Sequence, residues 1–114
     1  MNLLNEMVEA LNALGIPVET GVFSETPPDT YAVITPLADT FPICADDTPE
    51  IDLQEARVSL FTKNNPRTLR NQIIRAFLAA GISITDRVYV GYEADVSLHH
   101  IAIDAEKQYL WRDQ

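Results

Sequence analysis

The spacing of apolar residues switches between two periods along this chain of 114 residues, and the switches limit its fold more than any other feature. Leu3, Leu4, Met7, Val8, Leu11 and Leu14 recur at helical spacing with Asn5, Glu6, Glu9 and Asn12 opposite, which predicts a helix over 2–14. Glu6 and Glu9 suit the positive end of its dipole, and Gly15 followed by Pro17 stops it. The period then falls to two. Residues 18–23 and 31–35 read as strands joined through a proline turn at 26–29, paired antiparallel, the second ended by Pro36. Residues 51–62 read as a long strand that changes phase. Ile51 and Leu53 share one face while Ala56, Val58 and Leu60 share the other, which implies a bulge or bend near Gln54–Glu55.

Helical spacing returns over 66–80, with Asn65 as cap, Pro66 in the first turn and Gly81 as the stop. Residues 82–84 and 88–92 go back to period two. After a turn at 93–95, residues 96–111 pair back as a hairpin partner with Ile101, Ile103 and Ala105 on one face. In that hairpin Tyr89 and Tyr92 are expected to pair across the strands with Tyr109 and Trp111. The order α-β-β-β-α-β-β predicts an α+β fold, a mainly antiparallel sheet packed against two helices, with residues 1–114 forming one domain.

Composition excludes several classes. With 46% apolar and 22% charged residues the chain is ordinary for a globular domain, and no run approaches the roughly 20 apolar residues of a membrane span. The first residues lack the basic and apolar regions of a signal peptide, and the single Cys44 cannot form an internal disulfide. The expectation is a soluble protein of a reducing, cytosolic compartment.

Charge is divided unevenly. Residues 1–56 hold eleven acids and no Lys or Arg, and the remainder holds all eight bases against six acids, for a net charge of −9. Two readings stand: a solvated acidic surface, or head-to-tail association of the acidic side of one copy with the basic side of the next. Such a balance argues against nucleic acid as a ligand. Residues 37–50, rich in proline and acids, read as a loop or projecting arm, of which 38–50 are expected to order only on assembly. The second helix adds another candidate surface. Its apolar positions from Leu69 to Leu78 sweep about 180°, against about 100° for an ordinary surface helix. Leu69, Ile73 and Ala76 are expected on the sheet; Ile74 and Leu78, beside Arg67 and Asn71, face a partner or are simply buried.

Chemistry-bearing arrangements are thin. His99 and His100 are adjacent, so a strand points them to opposite faces, and His100 with Asp104 supplies at most two of the three or four ligands of a zinc site. Cys44 lies beside Asp46 and Asp47, whose charge opposes a thiolate. The four scattered glycines form no phosphate loop. No metal, cofactor or catalytic residue is expected.

Taken together the segments resemble a known family. A leading amphipathic helix runs into Asp29-Thr30-Tyr31-Ala32-Val33-Ile34-Thr35-Pro36. Then come Glu50-Ile51-Asp52 through Ser59-Leu60-Phe61-Thr62-Lys63, the helix ending Ala79-Ala80-Gly81, Tyr89-Val90-Gly91-Tyr92-Glu93, and His99-His100-Ile101-Ala102-Ile103-Asp104. Nearly the full chain is similar to the small tail-terminator, or tail-completion, proteins of prophages and long-tailed bacterial viruses. The resemblance implies an α+β fold assembled as a ring, commonly a hexamer, on the last ring of the tail tube. It implies as partners further copies of the chain, the major tail tube protein and the head completion protein, with work done by binding geometry. Such a protein is found in the bacterial cytoplasm during assembly and afterwards at the head–tail junction. In a ring that passes DNA, an acidic bore lets the duplex slide, so a subset of Asp39, Asp46, Asp47, Glu50, Asp52 and Glu55 is expected at the bore or its mouth. A different class, an acidic inhibitor or nucleic-acid mimic aimed at a basic site on a host enzyme, would instead gather the carboxylates in one continuous patch.

Overall fold

A computed structural model of the protein describes residues 2–19 and 28–114. Helix α1 (Leu3–Ala13) starts where the Asn2 side chain accepts the Asn5 N–H, and helix α2 (Pro66–Ala79) starts where Asn65 accepts those of Arg67 and Thr68. Each ends at a glycine with positive φ, Gly15 at 74° and Gly81 at 79°, a conformation that costs other residues Cβ strain. The strands are β1 (Val18–Glu19), β2 (Thr30–Thr40), β3 (Cys44–Ala45), β4 (Thr48–Pro49), β5 (Ile51–Thr62), β6 (Ser83–Glu93) and β7 (Leu98–Leu110), followed by a 3₁₀ turn at Trp111–Asp113. Five of them form one sheet in the order β1-β2-β5-β7-β6, antiparallel except for the β1–β2 pair, and β3 with β4 makes a separate small hairpin. The α+β class and the element order are those predicted, with the β3–β4 hairpin added.

Both helices cover one face of the sheet, α1 over β1, β2 and β5 and α2 over β6 and β7. Leu3, Met7 and Leu11 of α1 and Ile73 and Phe77 of α2 meet Ala56, Val58 and Leu60 of β5 and Ile101, Ile103 and Ala105 of β7. On the opposite face Tyr31, Phe61 and His100 stack in a row across β2, β5 and β7, with ring centroids 4.9 and 4.3 Å apart. Arg57 and Asp104 form a two-pronged ion pair on that face at 2.7 and 3.0 Å.

Several expectations change. The first two strands pair in parallel, Val18 opposite Ala32, because Gly15 and Pro17 bring the chain back beside β2 in the same direction. The rest of the first predicted strand and the start of its turn, residues 20–27, lie outside the described residues. Pro36 does not end β2. The Ala32 N–H donates to Pro17 on the β1 side, so position 36, four residues on, turns its ring nitrogen the same way, and among the described residues β1 ends at Glu19, short of it.

The phase change in residues 51–62 has a different origin from a bend in that strand. β5 pairs with β7 without a register shift, and the irregularity lies opposite it, between Pro36 and Ala38 of β2. The buried face continues through Gln54 and Asp52, so alternation persists while the residues on it turn polar. In the final hairpin, bulges lie between Ile84 and Asp86 and between Tyr89 and Gly91. Tyr89 and Tyr92 therefore face Ile101 and His99, while Tyr109 faces Asp52 and Trp111 packs edge-on against Phe41, so the expected tyrosine pairs do not form.

Candidate functional site

Two exposed surfaces at separate places on the fold combine apolar side chains with unpaired charge. The first is the arm. β2 and β5 form a long hairpin whose ladder reaches Thr40 opposite Leu53, and β3–β4 extends it, so residues 38–40, 44–45 and 48–49 of the expected loop or arm lie in strands. Asp46 and Asp47 occupy the two-residue tip with φ of 51° and 63°, the left-handed conformation of tight hairpin turns, which aspartate tolerates. The arm is tied at its base, where the Glu50 N–H donates to Ile43 and the Trp111 N–H donates to the Glu50 carbonyl. Leu37, Phe41 and Ile43 are exposed along it, interleaved with Asp39, Asp46, Asp47 and Glu50, and Cys44 is exposed too.

The second surface is the flank formed by α2 and the edge strand β6. Ala76, Ala79 and Ala80 of α2 line a groove with Glu6, Glu9, Ala10, Ala13 and Leu14 of α1. At about 100° per residue, Arg67, Arg70, Asn71, Ile74 and Leu78 then lie on the flank turned away from α1, beside β6. On β6 the register puts Arg87, Tyr89 and Tyr92 on the same side of the sheet as α2. Leu78 (56% exposed), Tyr89 (53%) and Tyr92 (52%) present large apolar surfaces to solvent. No strand among the described residues pairs with the outer edge of β6.

The predicted interface residues thus share one flank, and they are not equivalent. Of the two apolar residues, Ile74 packs against the core as a half-buried rim residue and Leu78 leaves its side chain uncovered; Arg67 is exposed and Asn71 half-buried. The acidic set divides more sharply. Asp39, Asp46, Asp47 and Glu50 are exposed on the arm, and half-buried Glu55 stands opposite Glu106 on the open face. Asp52 is 6% exposed and accepts a hydrogen bond from Gln54 at 2.8 Å, so it faces the core and is corrected out of any bore.

That inner position belongs to a polar network closing the lower end of the core. The Gln54 carbonyl oxygen accepts the Leu3 N–H at 2.7 Å, satisfying a donor that the first turn of α1 leaves open. Lys107 donates to Glu6 and to the Ala80 carbonyl at 2.7 and 2.8 Å, and the Tyr109 hydroxyl donates to the other Glu6 oxygen. Burial pushes the Glu6 carboxyl up, but the hydrogen bonds from Lys107 and Tyr109 and the Lys107 charge outweigh it and hold it below the usual carboxylate range. Burial, reinforced by Glu6, drives the Tyr109 hydroxyl upward. The network is structural, and it ties α1 to β5, β7 and the end of α2.

The histidines diverge as expected. His99 lies near Tyr89 and Tyr92 on the helix side, with its Nδ1 2.9 Å from the Tyr89 hydroxyl. His100 stacks on Phe61 on the open face; burial, opposed by Glu93, lowers its pKa, and its Nε2 has no partner among the described residues. Asp104 is held by Arg57. No group of three or more His, Cys, Asp or Glu side chains is placed to hold a metal among the described residues. Among them, too, no helix is long and apolar enough to cross a membrane.

The β6 surface was missed in the sequence. Val88-Tyr89-Val90-Gly91-Tyr92 is apolar at almost every position, a pattern expected of a strand buried on both sides. That pattern was the available signal, because such a run at a sheet edge needs a cover. No protein-family model matches the sequence, and no curated protein matches it.

Proposed function

We propose that this protein is a structural component of a long-tailed bacterial virus or prophage, which assembles as a ring on the end of the tail tube, stops tube growth and helps join the tail to the head. The observation that carries the reading is the pair of unlike surfaces on one small domain, an acidic apolar arm and a basic apolar flank. Unlike surfaces on one chain make heterologous contacts, and heterologous contacts close into rings when the rotation between copies allows. The similarity of the sequence to tail-terminator proteins supplies the setting. In this reading the partners are further copies of the chain, about six to a ring, the major tail tube protein and the head completion protein. No bond is made or broken; the ring acts by occupying the tube end.

Purified tail tube protein, polymerised with and without this protein and imaged in negative stain, tests the proposal. Tubes of limited length bearing a terminal ring are the expected result. Tubes that keep elongating in its presence overturn it.

A further inference from the structure

Four of the eight basic side chains have a carboxylate partner within the chain: Arg57 with Asp104, Lys63 with Asp29, Lys107 with Glu6 and Arg112 with Asp113. The other four, Arg67, Arg70, Arg75 and Arg87, pair with no carboxylate among the described residues. Three sit on α2, a helix without a single acid, and the fourth is on neighbouring β6. The acids of the arm, Asp39, Asp46, Asp47 and Glu50, likewise have no cationic partner among the described residues, and residues 37–50 contain no Lys or Arg. Arg67, Arg70 and Arg87 lie on the flank and Arg75 projects from the solvent side of α2 opposite Ile73 and Phe77, so unpaired positive charge sits on and beside one flank and unpaired negative charge on the arm. Each is accompanied by exposed apolar side chains, Leu78, Tyr89 and Tyr92 on the flank and Leu37, Phe41 and Ile43 on the arm.

We propose that the arm of one copy docks on the α2–β6 flank of the next. This deepens the ring reading and rests on its claim of self-association, though not on the tail tube. Charge complementarity selects a second copy as occupant: the same chain carries both the missing anions and the missing cations. The exposed acids repel one another, so the arm avoids a second arm, and the arginine flank avoids its own kind, which disfavours a two-fold dimer. The contact is made through side chains rather than by strand addition, because the bulges beside Thr85 and Val90 interrupt the outer edge of β6. Asp46 and Asp47 then meet arginines of the neighbour instead of lining a bore.

The natural Cys44, exposed on the arm, provides a probe. Introducing Leu78→Cys at an exposed site on the flank gives each copy one thiol on each surface. Mild oxidation of the concentrated protein at low salt should yield a ladder of disulfide-linked dimers, trimers and higher species. The same variant carrying Cys44→Ser should give dimers at most. Reversing Arg67 and Arg70 to Glu should weaken self-association by roughly tenfold, and adding Asp46→Lys and Asp47→Lys should restore most of it. Dimers or monomers only with both thiols present, or a ladder whose disulfides join arm to arm and flank to flank on peptide mapping, overturns the arm–flank contact. Oligomers seen by sedimentation without a ladder overturn this contact while leaving the ring reading standing. Tubes that elongate uncapped beside a clear ladder have the opposite meaning.

Discussion

Replacing Gln54 removes two buried hydrogen bonds from the lower end of the core and a longer, part-buried one to Gln114. Its carbonyl oxygen takes the Leu3 N–H at 2.7 Å and its amide nitrogen gives to Asp52 at 2.8 Å, and both neighbours are almost fully buried. Gln54→Ala leaves a helix N–H and a carboxyl oxygen without partners where water has little access. Each orphaned buried group costs about 1–3 kcal/mol, so the loss should be about 3 kcal/mol. For a domain of this size that lowers Tm by roughly 10 °C. Gln54→Leu separates polarity from volume: it keeps the side-chain bulk and strands the same two groups, so its loss should be nearly as large. Gln54→Glu keeps the acceptor for Leu3 but sets a new carboxyl beside Asp52 in a buried site, which raises the pKa of the introduced carboxyl in the folded state. The folded form then binds protons more readily than the unfolded chain, so this variant alone should gain stability relative to wild type as pH falls through the carboxylate range. Urea unfolding of the three variants, with unchanged slopes, measures all of this. A Gln54→Leu protein within about 0.5 kcal/mol of wild type would refute the assignment, because the site would then be packed rather than bonded.

Three further outcomes are expected. Glu6→Gln should cost about 1–3 kcal/mol at neutral pH by weakening the contacts with Lys107 and Tyr109. Because the folded-state pKa of Glu6 is depressed, its contribution is complete above the unfolded carboxylate value and fades as pH falls through the folded one; thermal melts of both proteins should converge in acid. His100→Phe should keep the stack on Phe61 and remove a buried nitrogen without a partner, so it should stabilise the fold. The His100 pKa is lowered in the folded state, so wild type loses stability as pH drops through the unfolded histidine value while the variant does not, and melts at pH 5 and 8 should show the gap widening in acid. Titration with zinc near neutral pH should give no tight stoichiometric binding; one equivalent bound at His99 or His100 would contradict the geometry in which the two rings occupy opposite faces.

Local chemistry in the sequence was enough to identify both helices, the Asn65 cap, the Gly15 and Gly81 stops, the order of elements along the chain and the α+β class. Asn2 and Asn65 act on groups a few residues away, Gly15 and Gly81 act at their own φ angles, and apolar period reports which side of an element is buried. These signals need no knowledge of distant neighbours. The separation of acids from bases was equally legible, since it is a property of order along the chain.

Tertiary structure decided what those signals meant. The interrupted hydrophobic pattern at Gln54 was visible, but only the fold reveals a continuous strand whose buried face turns polar, because the partners Leu3 and Gln114 come from the two ends of the chain. The apolar run at Val88–Tyr92 resembles a central strand, and only the sheet order puts it at an edge beside a helix whose charged residues are all arginines. Asp52 and Asp47 are alike as residues; burial beside Gln54 removes one from solvent and a hairpin tip presents the other. A sequence carries the charge and apolarity of each side chain, whereas exposure depends on what packs over it, and that cover is supplied by residues far away along the chain.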